Sequence, residues 1–221
     1  MMPDGIIKTG RKTISLQITE YAELIVRAPY GVKEKEIQEV IRKHSDWIRK
    51  KKQEMLSKDP KFARKQFVNG EGFFYLGKHY KLRIVDGGED RLTLQDQFIL
   101  PSDSLHRARD IFLAWYRNAA LVKLTERADV ISQSTGLKYY SIKITNAEKR
   151  WGSCGMKGML NFSWRLAMAP VSVIDYVVLH ELVHTAVKNH QRSFWNRVEA
   201  FMPDYRKKNE WLKQNGYLLR L

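Results

Sequence analysis

Ser172–His190, SVIDYVVLHELVHTAVKNH, is the segment on which the reading of this chain turns. Val173, Ile174, Val177, Val178, Leu179, Leu182 and Val183 wrap nearly the whole circumference of a helix in apolar surface. From Leu166 to Val187 there is no Lys or Arg, in a chain otherwise rich in both. Such a helix is buried. Ser172 and Asp175 have the S-x-x-D spacing of a capping box, so the helix is expected from Val173 to about Val187.

Inside this apolar helix stand His180, Glu181 and His184, the H-E-x-x-H pattern. Residues four apart lie about 40° apart around a helix and about 6 Å along it, so two imidazoles at this spacing can grip one ion while the glutamate reaches its open side. Two imidazoles and a carboxylate buried on one stripe, with no cation on their own helix, are costly unless something positive sits against them. A metal ion answers that need, and the donor set suits zinc. A catalytic zinc site needs a third protein ligand and keeps one position for water. His190 is the expected third ligand, with Glu199 or another carboxylate from the following helix as the alternative. Asn189 tolerates left-handed backbone, so the helix can end near Lys188 and turn His190 back towards the metal. His44, His79 and His106 show no ligand spacing and read as packing or surface residues.

Around this helix, the region after Ser102 reads mostly helical. Ser104 is expected to cap a long helix to about Ser134, with Ile111, Trp115, Leu121, Leu124 and Ala128 among its apolar positions, and Gly136 ends it. Tyr139–Thr145 and Leu160–Met168 read as strands flanking a glycine-rich loop, and Ser193–Met202 and Asp204–Gln214 as helices. Upstream, Thr13–Ile18 and Glu23–Pro29 read as a hairpin turning through Thr19–Tyr21, and Lys33–Leu56 as one amphipathic helix. Phe73–Leu76, Tyr80–Val85 and Leu92–Leu100 read as short strands. The expected fold is therefore α+β: a β-rich N-terminal region, residues 1–101, with one long helix, packed on a helical zincin-like metallohydrolase region, residues 102–221, with a small sheet.

Composition narrows the class further. The 221 residues include one cysteine, so a disulfide scaffold is excluded and a reducing compartment is the natural reading. With 43% apolar and 11% aromatic residues the chain is expected to fold despite 29% charge. No secretory leader or membrane-length apolar run is evident, and a cytoplasmic location is expected. Lys and Arg number 39 against 24 Asp and Glu, a net charge of +15 that suits an anionic partner without naming one. The densest clusters are Arg49–Lys52, Lys61 with Arg64 and Lys65, and Arg206–Lys208. Nearby Phe62, Phe67, Phe73, Phe74 and Tyr75 offer stacking rings if that partner is nucleic acid.

Larger blocks carry a family resemblance. RWGSC (Arg150–Cys154), LNFSWRLAMAP (Leu160–Pro170), IDYVVLHELVH (Ile174–His184), NHQRSFW (Asn189–Trp195) and MPDYRKKNEWL (Met202–Leu212) resemble the YgjP-like family of zinc metallopeptidases. VRAPYGV (Val26–Val32), DWI (Asp46–Ile48), YLGKHYKL (Tyr75–Leu82) and AWYR (Ala114–Arg117) extend the likeness over nearly the whole chain. The resemblance implies a zincin-type catalytic half related to SprT-like proteases, with His180, His184 and His190 as ligands to one zinc per chain and Glu181 as the catalytic glutamate. The ligand spacing also equals that of the metzincins, but their glycine would fall on Val187, and that clan is not carried over.

The expected activity is a zinc-dependent hydrolase, foremost a metallopeptidase acting on a peptide or protein through a metal-activated water, with Glu181 as general base. Arg165, Tyr205 and Arg206 are candidates to stabilise the oxyanion, and Trp151 to touch substrate. A peptide can add as a strand beside Arg150–Cys154 or Leu160–Trp164. Cys154, with no partner histidine at motif spacing, reads as a structural thiol. Two alternatives stand beside this reading: a metal-dependent phosphoanhydride (nucleoside triphosphate) hydrolase, suggested by the net charge, and a basic nucleic-acid-binding module with a structural metal.

Overall fold

Thr13–Ile18 and Glu23–Pro29, read as a hairpin, form β2 (Ser15–Ile18) and β3 (Leu24–Pro29), paired antiparallel from Ser15↔Arg27 to Ile18↔Leu24. The computed structural model describes residues 2–19, 22–56 and 65–221. Tyr21, Lys61, Phe62 and Arg64 lie outside the described residues. Period-two alternation buries Leu24, Val26 and Ala28 on one face of β3. A further strand, β1 (Gly5–Thr9), runs parallel to β3 on its other side. It escaped the sequence reading because Ile6 and Ile7 are adjacent and both exposed, so the strand has no alternation.

The single helix expected over Lys33–Leu56 is two, α1 (Glu34–Lys43) and α2 (Ser45–Leu56). The break falls at His44, whose N–H contacts the carbonyls of both Val40 and Ile41, and Ser45 and Asp46 favour a fresh helix start. Ile37 and Ile41 of α1 and Ile48 of α2 join the buried β3 residues in one apolar cluster. These elements belong to the first of two compact units, residues 1–64.

The second unit spans residues 65–221, so the change of texture near residue 102 lies within it and does not mark the division. The reason is packing: Phe73, Leu82, Phe98 and Leu100 share one core with Phe112 and Tyr116. Strands β4 (Gly72–Tyr75), β5 (Lys78–Val85), β6 (Thr93–Leu94) and β7 (Phe98–Pro101) form a sheet in the order β4-β5-β7-β6. The strand expected over Leu92–Leu100 is thus two, separated by a tight turn at Gln95–Gln97.

Helix α3 (Ala108–Thr135) comes after a 3-10 turn over Ser102–Arg107, so Ser104 is not its cap. Ser104 is buried and donates instead to Asp90. Gly136 closes α3 in left-handed backbone, as expected. Strands β8 (Ser141–Thr145), β9 (Gly152–Cys154) and β10 (Met159–Ser163) form a second sheet in this unit, in the order β8-β10-β9. The strand expected to run to Met168 stops at Ser163, and Trp164–Met168 form a 3-10 turn. A short apolar run reads alike in either conformation.

Helix α4 (Val171–Ala186) carries the H-E-x-x-H pattern and is succeeded by α5 (Arg192–Phe201) and α6 (Tyr205–Asn215). The expected capping box is absent: Pro170 is the N-cap, and Asp175 accepts two hydrogen bonds from Arg127 of α3, at 2.6 and 3.0 Å. The start of α4 is seated on the β4–β5 turn. Leu76 and Gly77 both have positive φ, 48° and 79°, and their N–H groups bond to Ala167 and Met168 carbonyls. A Cβ on Gly77 would lie 2.9 Å from Pro170, so this position needs glycine for backbone and for space alike. Among the described residues no helix is long and apolar enough to cross a membrane.

Candidate metal centre

Helix α4 ends at Val187 in extended backbone, and Asn189 does not take the left-handed conformation expected of it. The chain still doubles back, with the Asn189 side chain accepting from the Gln191 N–H at 3.2 Å. His190 is thereby brought over the last turns of the helix. Its Nε2 lies 3.0 Å from the Nε2 of His180 and 3.0 Å from that of His184. The three ligand atoms all fall within 4.8 Å of one another, and among the described residues no other such group of His, Cys, Asp or Glu occurs. Glu199, the alternative ligand, is exposed and faces Arg206 at 3.7 Å.

This donor set fits a metal ion. A single imidazole nitrogen carries either one proton or one lone pair, so His190 Nε2 can satisfy only one of its two close neighbours by hydrogen bonding. A cation at their common point satisfies all three. The tautomer agrees: His184 Nδ1 lies 2.9 Å from the Val187 carbonyl, and donating there leaves its Nε2 lone pair free. Burial pushes the pKa of His180 down to about 3, with His184 and His190 adding to the effect, and burial lowers that of His184 as well. Both shifts favour the neutral ring, the form that can offer a lone pair to a metal. Phe194 of α5 packs against all three imidazoles, with ring centroids 4.4 to 4.8 Å away.

Glu181, the neighbour of His180 on the same helix, is 5% exposed, and among the described residues its Oε2 has no hydrogen-bond partner. Burial raises its pKa to about 7, opposed by the charge of Arg150. Strand β9 crosses directly over it. A Cβ on Gly152 would stand 2.6 Å from Glu181 Oε1, so only glycine lets the strand pass this close. A cleft of about 350 Å³ opens on His180 and Glu181, lined also by Trp151, Tyr176, Leu212 and Lys213.

Of the four residues expected to touch the oxyanion or substrate, Arg165, Tyr205, Arg206 and Trp151, only Trp151 lines that cleft. Arg165 donates to the carbonyls of Leu219, Glu148 and Gly216 and lies over the Trp151 ring, an arrangement that anchors the C-terminus. Tyr205 is buried in a stack between Trp195 and Tyr176 and accepts from Arg206 Nε at 3.2 Å. Cys154 is half-buried, and its thiol pKa is raised by burial. The expected stacking rings belong to the core: Phe73 is buried, and Phe67, Phe74 and Tyr75 pack against the same cluster.

Sequence reading missed Tyr176, Asn209 and Lys213, which line the cleft, and the close approach at Gly152. Tyr176 had a usable signal, since it stands one turn before His180 on the same helical stripe. Asn209 and Lys213 had none, because nothing in α6 announces which of its faces meets α4.

The model of the YgjP-like metallopeptidase domain matches residues 12–215. The chain belongs to the YgjP-like family. It is thus an enzyme of the metallopeptidase class, and such enzymes need a metal that the three-histidine group could hold. No curated protein matches this YgjP-like chain. Among solved structures it is similar to the metallopeptidase zymogen abylysin of Pyrococcus abyssi, at 16% identity and a TM-score of 0.38 over 41% of this chain and 93% of that one. It is likewise similar to the metallopeptidase zymogen jannalysin of Methanocaldococcus jannaschii, at 18% identity and a TM-score of 0.37 over 41% and 94%.

Proposed function

We propose that this YgjP-like chain is a zinc-dependent peptidase in which His180, His184 and His190 hold one zinc ion per chain and Glu181 is the general base. The observation that carries the reading is the convergence of three imidazole nitrogens beside a buried carboxylate whose Oε2 has no partner. When bound, the ion supplies Lewis acidity towards water and a scissile carbonyl. Glu181 takes the proton of the attacking water at a carboxylate oxygen and returns it to the leaving amine. Its freedom from hydrogen bonds supports that role, since no other donor competes for the oxygen.

The path of the substrate is set by β9. Ser163 N–H bonds to the Trp151 carbonyl and Gly155 N–H to the Met159 carbonyl, so Trp151, Ser153 and Gly155 direct their backbone groups to β10. Gly152 and Cys154 direct theirs to the free edge, where a peptide can add as a further strand beside Glu181. For the oxyanion, Tyr176 is better supported than Arg165, Tyr205 or Arg206. It lines the cleft, whereas those three point their polar atoms at backbone carbonyls, at one another or at Glu199.

Elemental analysis is expected to find about one zinc per chain, lost in the His180→Ala, His184→Ala double variant. Internally quenched peptides and nucleoside triphosphates, assayed side by side with Glu181→Gln as the blank, then identify the substrate class. Failure to load zinc, or equal hydrolysis by the blank, overturns the proposal.

A further inference from the structure

A second cleft, of about 370 Å³, adjoins the first and shares Trp151 and Gly152 with it. It is lined by Thr145 and Ala147 of β8 and the loop after it, by Arg150, and by Ser153, Asn161 and Ser163. The sheet register explains its chemistry. Ser153 pairs with Asn161, and Ser163 with Thr145, so these four side chains share the face opposite to the one that buries Leu160 and Phe162. That face presents hydroxyls and an amide. Thr145 and Ser163 donate to backbone carbonyls, at 3.2 and 2.9 Å, and are fixed in place. Asn161 donates to Ser153 at 3.4 Å, which leaves the Ser153 hydroxyl proton undirected. Arg150 is exposed, and among the described residues its guanidinium makes no hydrogen bond or ion pair.

We propose that this polar pocket is a substrate subsite that binds the carboxylate of an Asp or Glu side chain on a peptide laid along β9. The proposal rests on the peptidase reading above and names the substrate class for that site. Side chains of an added strand alternate between the two faces of the sheet, so those not facing Glu181 fall on the side of Ser153 and Asn161. The charge arithmetic favours a carboxylate over a phosphate: one guanidinium with neutral donors around it balances a single negative charge and presents the planar fork that suits two carboxylate oxygens. A cation with no hydrogen-bonded or ion-paired acid among the described residues, beside a built polar pocket, is what an acidic side chain requires. Its charge also reaches Glu181, so the Glu/Gln ratio, and not the rate alone, reports on the subsite.

The test uses the full-length, zinc-loaded protein and matched sets of internally quenched peptides that carry Glu, Gln or Lys at one position scanned across the cleavage site. The expected result is one position at which kcat/KM for Glu exceeds that for Gln by about tenfold, the scale of a charge-assisted hydrogen bond at a partly exposed site. Arg150→Gln should bring that ratio to about one, and Arg150→Glu should shift the preference to Lys. A Glu/Gln ratio near one at every position in the wild type, or one that persists in both variants, overturns the subsite. If no peptide is cut, the peptidase reading fails, and the subsite is judged by fluorescence titration with the Glu and Gln peptides. Tighter Glu binding that depends on Arg150 supports it, and equal binding overturns it. A phosphoserine peptide in the same titration that binds far more tightly than Glu through Arg150 also overturns the carboxylate assignment.

Discussion

The N-terminal and C-terminal halves of α4 each hold a carboxylate, Asp175 and Glu181, in opposite surroundings. Asp175 meets the Arg127 guanidinium in a two-point contact at 2.6 and 3.0 Å, with both side chains about four-fifths buried. Glu181 is more deeply buried, has an oxygen with no partner, and feels only the charge of Arg150, which does not offset its desolvation. Asp175 ties α4 to α3 and belongs to the architecture. Glu181 is held in a state that the fold itself leaves uncompensated, and such states are retained where a ligand or a reaction completes them. One apolar helix thus serves as a strut in one half and a site in the other.

The strongest effect should separate the two halves. Glu181→Gln should lower turnover by a hundred- to ten-thousand-fold while zinc content persists and the melting temperature holds or rises, because a neutral amide is cheaper to desolvate. Asp175→Asn should do the reverse, and similar melting losses in both variants would erase the contrast. Next comes Gly152→Ala. Its Cβ, 2.6 Å from Glu181 Oε1, must displace the carboxylate. A shift of about 1 Å in a reacting group costs on the order of a hundredfold in rate, so turnover should drop on that scale with the three histidines still binding zinc.

Arg127→Ala breaks the structural half. An unpaired, largely buried Asp175 should cost about 2–3 kcal/mol in urea unfolding, with zinc content unchanged, and replacing both partners by Leu should recover much of the loss. The weakest effect falls in the first unit. There Asp4 accepts from the Leu24 N–H at 2.6 Å and from Lys52 at 2.9 Å, and the backbone bond first, then Lys52, holds its pKa below the usual carboxylate range. A depressed acid contributes stability above its unfolded pKa and loses it as pH falls through the folded one. Asp4→Asn should therefore flatten the acid limb of the stability curve, by less than about 1 kcal/mol for so exposed a pair, and a limb identical to the wild type would show that this contact contributes nothing.

Local periodicity and spacing were enough to place the helix and two of its histidines. Apolar residues all round Val173–Val183 require a buried helix, and two histidines four apart must share one side of it, whatever the rest of the chain does. The β2–β3 hairpin and the left-handed stop at Gly136 are equally local. Which polar groups meet was settled by the packing of distant segments. Asp175 read as a cap because the sequence cannot show Arg127 arriving from α3, 48 residues earlier. The partnerless state of Glu181, the glycine that β9 needs above it, and the approach of Tyr176 and Lys213 to the same cleft are likewise relations between elements far apart in the chain. Spacing fixes directions within a helix. Only packing fixes what those directions point at.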